Sequence, residues 1–103
     1  MSSAPVKLKM SWNIKPGAEE RYFVFITQEF PTSLRSSGFR LTDAWYTVYG
    51  DWPQVSMGFV SENLEKLEEF LVSSAWRELR GELFSYVKDY RQKVILARGG
   101  FQI

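Results

Sequence analysis

Residues 39–60 read FRLTDAWYTVYGDWPQVSMGFV, and the fold turns on how this stretch is read. Two extended, alternating runs flank Gly50-Asp51-Trp52-Pro53, a connection rich in turn formers. In the first run, Leu41, Asp43, Trp45, Thr47 and Tyr49 are expected on one face. Arg40, Thr42, Ala44, Tyr46 and Val48 are expected on the other. In the second run Val55, Met57 and Phe59 share a side. Two runs joined this tightly predict an antiparallel hairpin.

Toward the N-terminus, VKLKMSWN (6–13) alternates in the same way. Val6, Leu8, Met10 and Trp12 fall on one face and Lys7, Lys9, Ser11 and Asn13 on the other, the pattern of a half-buried strand. Lys15-Pro16-Gly17 breaks it. A helix is expected next, with Glu19 and Glu20 in its first turn and Tyr22, Phe23, Ile26, Phe30 and Leu34 as its buried stripe. Pro31 predicts a kink or restart, and Gly38 a left-handed cap.

Toward the C-terminus, Ser61 is the expected N-cap of a helix whose apolar side is Leu64, Leu67, Phe70 and Leu71. Glu62, Glu65, Lys66, Glu68 and Glu69 cover its outer side. Ser73-Ser74 interrupts this helix and can cap a second one carrying Trp76, Leu79, Leu83 and Val87. Tyr90 to Leu96 reads as the last strand. The order is strand, helix, strand, strand, broken helix, strand. It predicts an α+β, ferredoxin-like βαββαβ fold: a four-stranded antiparallel sheet with helices on one face. One domain over residues 1–103 is expected, with loosely packed ends at 1–5 and 98–103.

Composition narrows the function classes. At 103 residues the chain can bury about two-thirds of its unfolded surface in one core. Its longest apolar run, Tyr22–Ile26, is far short of the roughly 20 residues of a membrane span. There is no cysteine and no histidine, which removes disulfides, thiol nucleophiles, the commonest general base and the commonest metal ligand. MSSAP lacks the pattern of a secretory leader, so a cytoplasmic protein is expected. The net charge of +1 supplies no strong field toward nucleic acid or an acidic membrane.

Aromatic residues make up 17% of the chain, and helices cover only one sheet face. Bulky groups are expected on both faces, and a large exposed apolar patch usually marks an interface. A twofold dimer with its open sheet faces packed together is the expected solution.

The order of elements and several local motifs resemble the dimeric α+β barrel superfamily. That group includes cofactor-free antibiotic-biosynthesis monooxygenases, stress-responsive barrel proteins and NIPSNAP-like domains. Gly38, Asp43-Ala44-Trp45-Tyr46 and Tyr49-Gly50 resemble the second-strand segment of NIPSNAP-like domains, and NLEKLEEFLVSSAWREL (63–79) resembles their helix. The resemblance covers about residues 5–97. It implies a homodimer with a pocket between sheet and helices in each subunit. It carries no catalytic residue across, because this fold hosts many chemistries.

Candidate chemistry is therefore read from the residues. Haem is not expected without histidine or cysteine ligands, and serine–histidine and cysteine–histidine systems fail for the same reason. The Glu62, Glu65, Glu68 and Glu69 cluster reads as a solvated helix face rather than a metal site. No metal and no cofactor are expected. Asp43 is the candidate catalytic base if its strand face is enclosed; the structural alternative is a carboxylate paired with a neighbouring Arg or Lys. Trp12, Arg40, Trp45, Tyr46, Tyr49 and Trp76 are the candidate substrate-pocket residues, suited to a small apolar or aromatic ligand. For each tryptophan the structural alternative is core or interface. Arg21 and Arg40 could position an anionic substrate; the structural alternative is that they are ordinary surface arginines.

The expected function is small-molecule binding by a homodimer, with cofactor-independent oxidation or isomerisation of a hydrophobic or aromatic metabolite. One alternative is an RRM-like nucleic-acid module. It is disfavoured because Lys9 stands where a stacking aromatic should be and only Phe59 remains on the third strand. The other is a non-catalytic dimerisation domain.

Overall fold

A computed structural model describes residues 4–47 and 53–97. Strand β1 (Val6–Ile14) alternates buried and half-buried along its whole length, as a strand with one face on a core must. Strands β2 (Arg40–Tyr46), β3 (Val55–Ser61) and β4 (Val87–Leu96) complete a sheet of order β2-β3-β1-β4. Each neighbouring pair is antiparallel. This is the expected ferredoxin-like arrangement. The Gly50–Pro53 turn falls almost wholly outside the described residues, but Thr47 N–H donates to the Gln54 carbonyl at 2.7 Å, so the β2–β3 hairpin is closed to that point.

The first helical region has three parts: α1 (Glu19–Val24), a π-helical turn (Phe25–Glu29) and α2 (Phe30–Ser36). Pro31 explains the wide turn. Its nitrogen cannot donate and its ring clashes with the carbonyl four residues back, so an ordinary α-turn cannot run through it. Phe30 N–H reaches five residues back to the Phe25 carbonyl instead. The wider turn also alters the buried stripe: Phe25 is sealed in the core, whereas Phe23, expected there, is 51% exposed. Gly38 ends α2 at φ +91°, and Phe39 N–H closes back on the Leu34 carbonyl at 2.9 Å, a Schellman cap.

Two helices follow β3. The N-cap of α3 (Leu64–Leu71) is Asn63, whose side chain accepts from Lys66 N–H at 2.8 Å. Ser61, the expected cap, is instead the last residue of β3 and donates its hydroxyl to the Asn63 carbonyl. Ser73 caps α4 (Ser74–Phe84) by accepting from Trp76 N–H. Val87, expected on that helix, opens β4, which therefore begins three residues earlier than the sequence suggested. Pro5, placed among the loose ends, accepts from Ala97 N–H at 3.0 Å and extends the β1–β4 ladder.

The core lies between sheet and helices. Trp12, Leu8 and Met10 of β1 and Phe59 of β3 meet Phe25, Phe30 and Leu34 of the first helical region and Leu67, Trp76 and Leu83 of the last two helices, all essentially fully buried. Phe59, Phe70 and Trp76 stack edge-on or tilted at centroid distances of 5.5–6.3 Å. Such geometry adds to plain burial.

Candidate functional site

The candidate residues do not form one group, and a β-bulge in β2 is the reason. Leu41 pairs with Phe59, but Asp43 pairs with Gly58, so Thr42 is an extra residue in the ladder. Beyond it the faces exchange. Leu41 stays against the core, whereas Asp43 and Trp45 turn to the open face, opposite Gly58 and Ser56. Tyr46, opposite Val55, turns to the helix side. The expectation that Leu41, Asp43 and Trp45 share a face is thus corrected. Thr42 secures the bulge by donating to the Asp43 carboxylate at 2.7 Å.

On the open face lie Arg40, exposed, Asp43, half-buried, and Trp45, 65% exposed. On the helix side lie Trp12, Tyr46 and Trp76. Tyr46 is 54% exposed, while Trp12 and Trp76 are sealed in the core. Tyr49 lies outside the described residues. Where the resemblance implies a pocket between sheet and helices, the described residues pack much of that space with side chains.

Asp43 carries the ion pair of the open face. Lys7 Nζ donates to its Oδ1 at 3.1 Å, reaching from β1 across the bare backbone of Gly58 in β3. Partial burial is the largest single influence on the Asp43 carboxyl and pushes its pKa up. The hydrogen bonds from Thr42 and Lys7, with the charges of Lys7 and Lys9, together outweigh it and hold the carboxyl below its ordinary range. The lysine-paired alternative weighed from sequence is the arrangement observed.

Trp12 is framed by two tyrosines that sequence reasoning put in the fold but not at the candidate site. Its Nε1–H donates to Tyr22 Oη at 3.0 Å, and its ring stacks on Tyr90 at 6.0 Å and 11°. A second bulge makes the stack possible: Asp89 and Tyr90 together oppose Trp12, with Asp89 at φ +57°. Burial pushes the Tyr22 phenol up to about 12 and raises that of Tyr90 as well.

Sequence reading also missed the cations of the open face. The β1–β4 register places Lys9 opposite Lys93 and Ser11 opposite Arg91, and the β1–β3 register places Ser11 opposite Ser56. These five residues line a depression of about 460 Å³. Alternation along β4 alone leaves the face of Arg91 and Lys93 open; pairing with β1 is what brings them beside Lys9. On the far side of the molecule, Glu29, Glu78 and Glu82 line a groove of about 380 Å³ between helices, where burial and the neighbouring Glu29 raise the pKa of Glu82. Among the described residues, no group of three or more acidic side chains has metal-binding geometry. No described helix is long and apolar enough to cross a membrane.

The fold and its open sheet face place the chain among ferredoxin-like α+β proteins. Solved structures similar to it carry the names its sequence suggested. A NIPSNAP-like domain protein from Burkholderia xenovorans is 20% identical with a TM-score of 0.66, over 96% of this chain and 90% of that one. A candidate antibiotic biosynthesis monooxygenase from Nitrosomonas europaea is 10% identical with a TM-score of 0.70, over 97% and 96%. A dimeric protein of unknown function with a ferredoxin-like fold, from Bacteroides fragilis, is 10% identical with a TM-score of 0.62, over 90% and 96%. At these identities the likeness is one of fold. No protein-family model and no curated protein matches the chain.

Proposed function

We propose that this chain is a cytoplasmic homodimer that binds a small apolar or aromatic metabolite, and that its activity is cofactor-independent isomerisation or oxidation. The observation that carries the reading is Trp45, a tryptophan 65% exposed on the uncovered face of the sheet. A large apolar ring held in water on a rigid strand is a surface for a partner or a flat ligand. A second copy packed on that face would cover the ring and enclose the space beside it. The dimeric Bacteroides fragilis neighbour supports this assembly, the Nitrosomonas europaea neighbour the chemistry, and the absence of cysteine a reducing compartment.

Asp43 is the group proposed to take up a proton, once a ligand displaces Lys7. Isomerisation needs only that acceptor and a donor; oxidation would also consume dioxygen. Arg40 and Trp45 share its face and complete the proposed open-face site. Trp12, Trp76 and Tyr46 are proposed to shape the sheet–helix side from behind, and Tyr49 remains a proposed pocket residue.

An RRM-like role fits less well. Stacking requires exposed aromatics on the two central strands. The open faces of β1 and β3 present Lys7, Lys9, Ser11, Ser56, Gly58 and Val60, while Phe59 is sealed in the core. Native mass spectrometry of protein purified from its own host tests the proposal, with absorbance read on the same sample. A dimer carrying a small aromatic mass is expected. A bare monomer that shifts only on adding RNA would overturn it.

A further inference from the structure

The chain is nearly neutral, yet its charge is sorted by face. Most glutamates lie on the helices, and the open face holds Lys7, Lys9, Arg91 and Lys93 against two carboxylates: Asp89, held by the open-face Asn13 at 3.0 Å, and Asp43. The Asp43 carboxylate is already engaged by Lys7 and Thr42. Among the described residues Lys9, Arg91 and Lys93 pair with no acid. All three, with the Ser11 and Ser56 hydroxyls, surround one depression of about 460 Å³. Trp45 lies directly across the β2–β3 ladder from Ser56.

We propose that this depression is an anion site: Lys9, Arg91 and Lys93 hold the carboxylate or phosphate of a small organic anion whose flat ring lies against Trp45. Three cations and two hydroxyl donors around one hollow match an oxyanion, which accepts charge-assisted hydrogen bonds from all of them. The inference rests on the binding reading above and makes it specific, turning an aromatic ligand into an anionic one. It also answers a difficulty of the dimer. Two open faces packed together would bring the same cations from both copies toward one enclosed space, where like charges repel. A bound anion in each copy offsets that repulsion, so the ligand and the dimer stabilise one another.

The test is calorimetric titration with indole-3-acetate, its neutral analogue indole-3-ethanol, and inorganic phosphate, with sedimentation velocity on the same samples. Indole-3-acetate is expected to bind about tenfold or more tightly than the alcohol, the size of a charge-assisted hydrogen bond. Lys9→Gln/Lys93→Gln, and separately Arg91→Gln, should erase the difference, and added salt should shrink it. Competition by phosphate would show that the site accepts either oxyanion, and failure to compete that it requires the carboxylate; both support an anion site. Equal binding of acid and alcohol overturns the anion site and leaves the aromatic-ligand reading standing. Binding of neither overturns both. A preference for the acid that survives in all the variants also overturns the assignment. A monomer that prefers the acid supports the anion site and overturns only the homodimer.

Discussion

Lys7 and Asp43 meet over Gly58. A Cβ at position 58 would stand 3.1 Å from Asp43 Oδ1, 3.1 Å from Lys7 Cδ and 3.4 Å from the Leu8 carbonyl. The first two contacts are tighter than ordinary packing allows, so the bare backbone of β3 is what lets an ion pair span three strands. Gly58→Ala should therefore destabilise the fold by about 1 kcal/mol through this crowding. In a Lys7→Ala/Asp43→Ala background the same change should be neutral or stabilising, because alanine suits a strand better than glycine. Urea unfolding of the four proteins checks this, and equal effects in both backgrounds would remove the crowding explanation.

The Lys7–Asp43 pair has a pH signature. Asp43 has a folded pKa below its unfolded value of about 3.9. Its contribution is present above that unfolded value and is lost as pH falls through the folded one. Asp43→Asn should cost about 1 kcal/mol at neutral pH, and the gap from wild type should close as the solution is acidified below about pH 4. A gap that stays constant with pH would mean that the carboxylate's charge does not matter to the fold. Any turnover should vanish in the same variant; full activity would leave Asp43 a structural role alone.

Tyr22 and Trp12 form the buried polar contact of the aromatic core. Removing the acceptor strands an indole N–H, so Tyr22→Phe should cost about 1–3 kcal/mol. With Trp12→Phe the N–H disappears as well, and the double variant should lose less than the two single changes summed. Strict additivity in thermal unfolding would show that the 3.0 Å contact is not coupled.

The tryptophans should separate cleanly by role. Trp76→Ala empties a sealed core position and should cost about 3–5 kcal/mol. Trp45→Ala removes an exposed ring and should leave the monomer's stability within about 0.5 kcal/mol. Its effect should fall on assembly and ligand uptake instead. Denaturation measured beside binding on both variants distinguishes these outcomes.

How much of this was legible in the sequence depended on where a single period ran unbroken. The nine residues of β1 keep strict alternation, so both of its faces were readable. The helices were legible from their spacing, and Gly38 and Ser73 from capping chemistry. Three of the departures are one-residue shifts in the local period. The π-turn before Pro31 exchanged Phe23 for Phe25 in the core. The bulge at Thr42 sent Asp43 and Trp45 to the face opposite Leu41. The bulge at Asp89-Tyr90 set Tyr90 onto Trp12. A bulge depends on what the partner strand presents, here the space above Gly58, and alternation along one strand carries no record of it. The candidate site suffered most, because its two face assignments both passed through Thr42. The cluster of Lys9, Arg91 and Lys93 was hidden for a related reason: charges far apart in the chain become one patch only after β1 and β4 are paired in register.

The most direct test of the central claim, a homodimer formed through the open sheet face at Trp45, is sedimentation velocity on wild type and Trp45→Ala across a range of concentrations. Wild type should sediment at twice the 12.0 kDa of the chain, and Trp45→Ala should move toward the monomer while keeping its fold. A wild type that is monomeric at every concentration, or a Trp45→Ala dimer as tight as wild type, would contradict it.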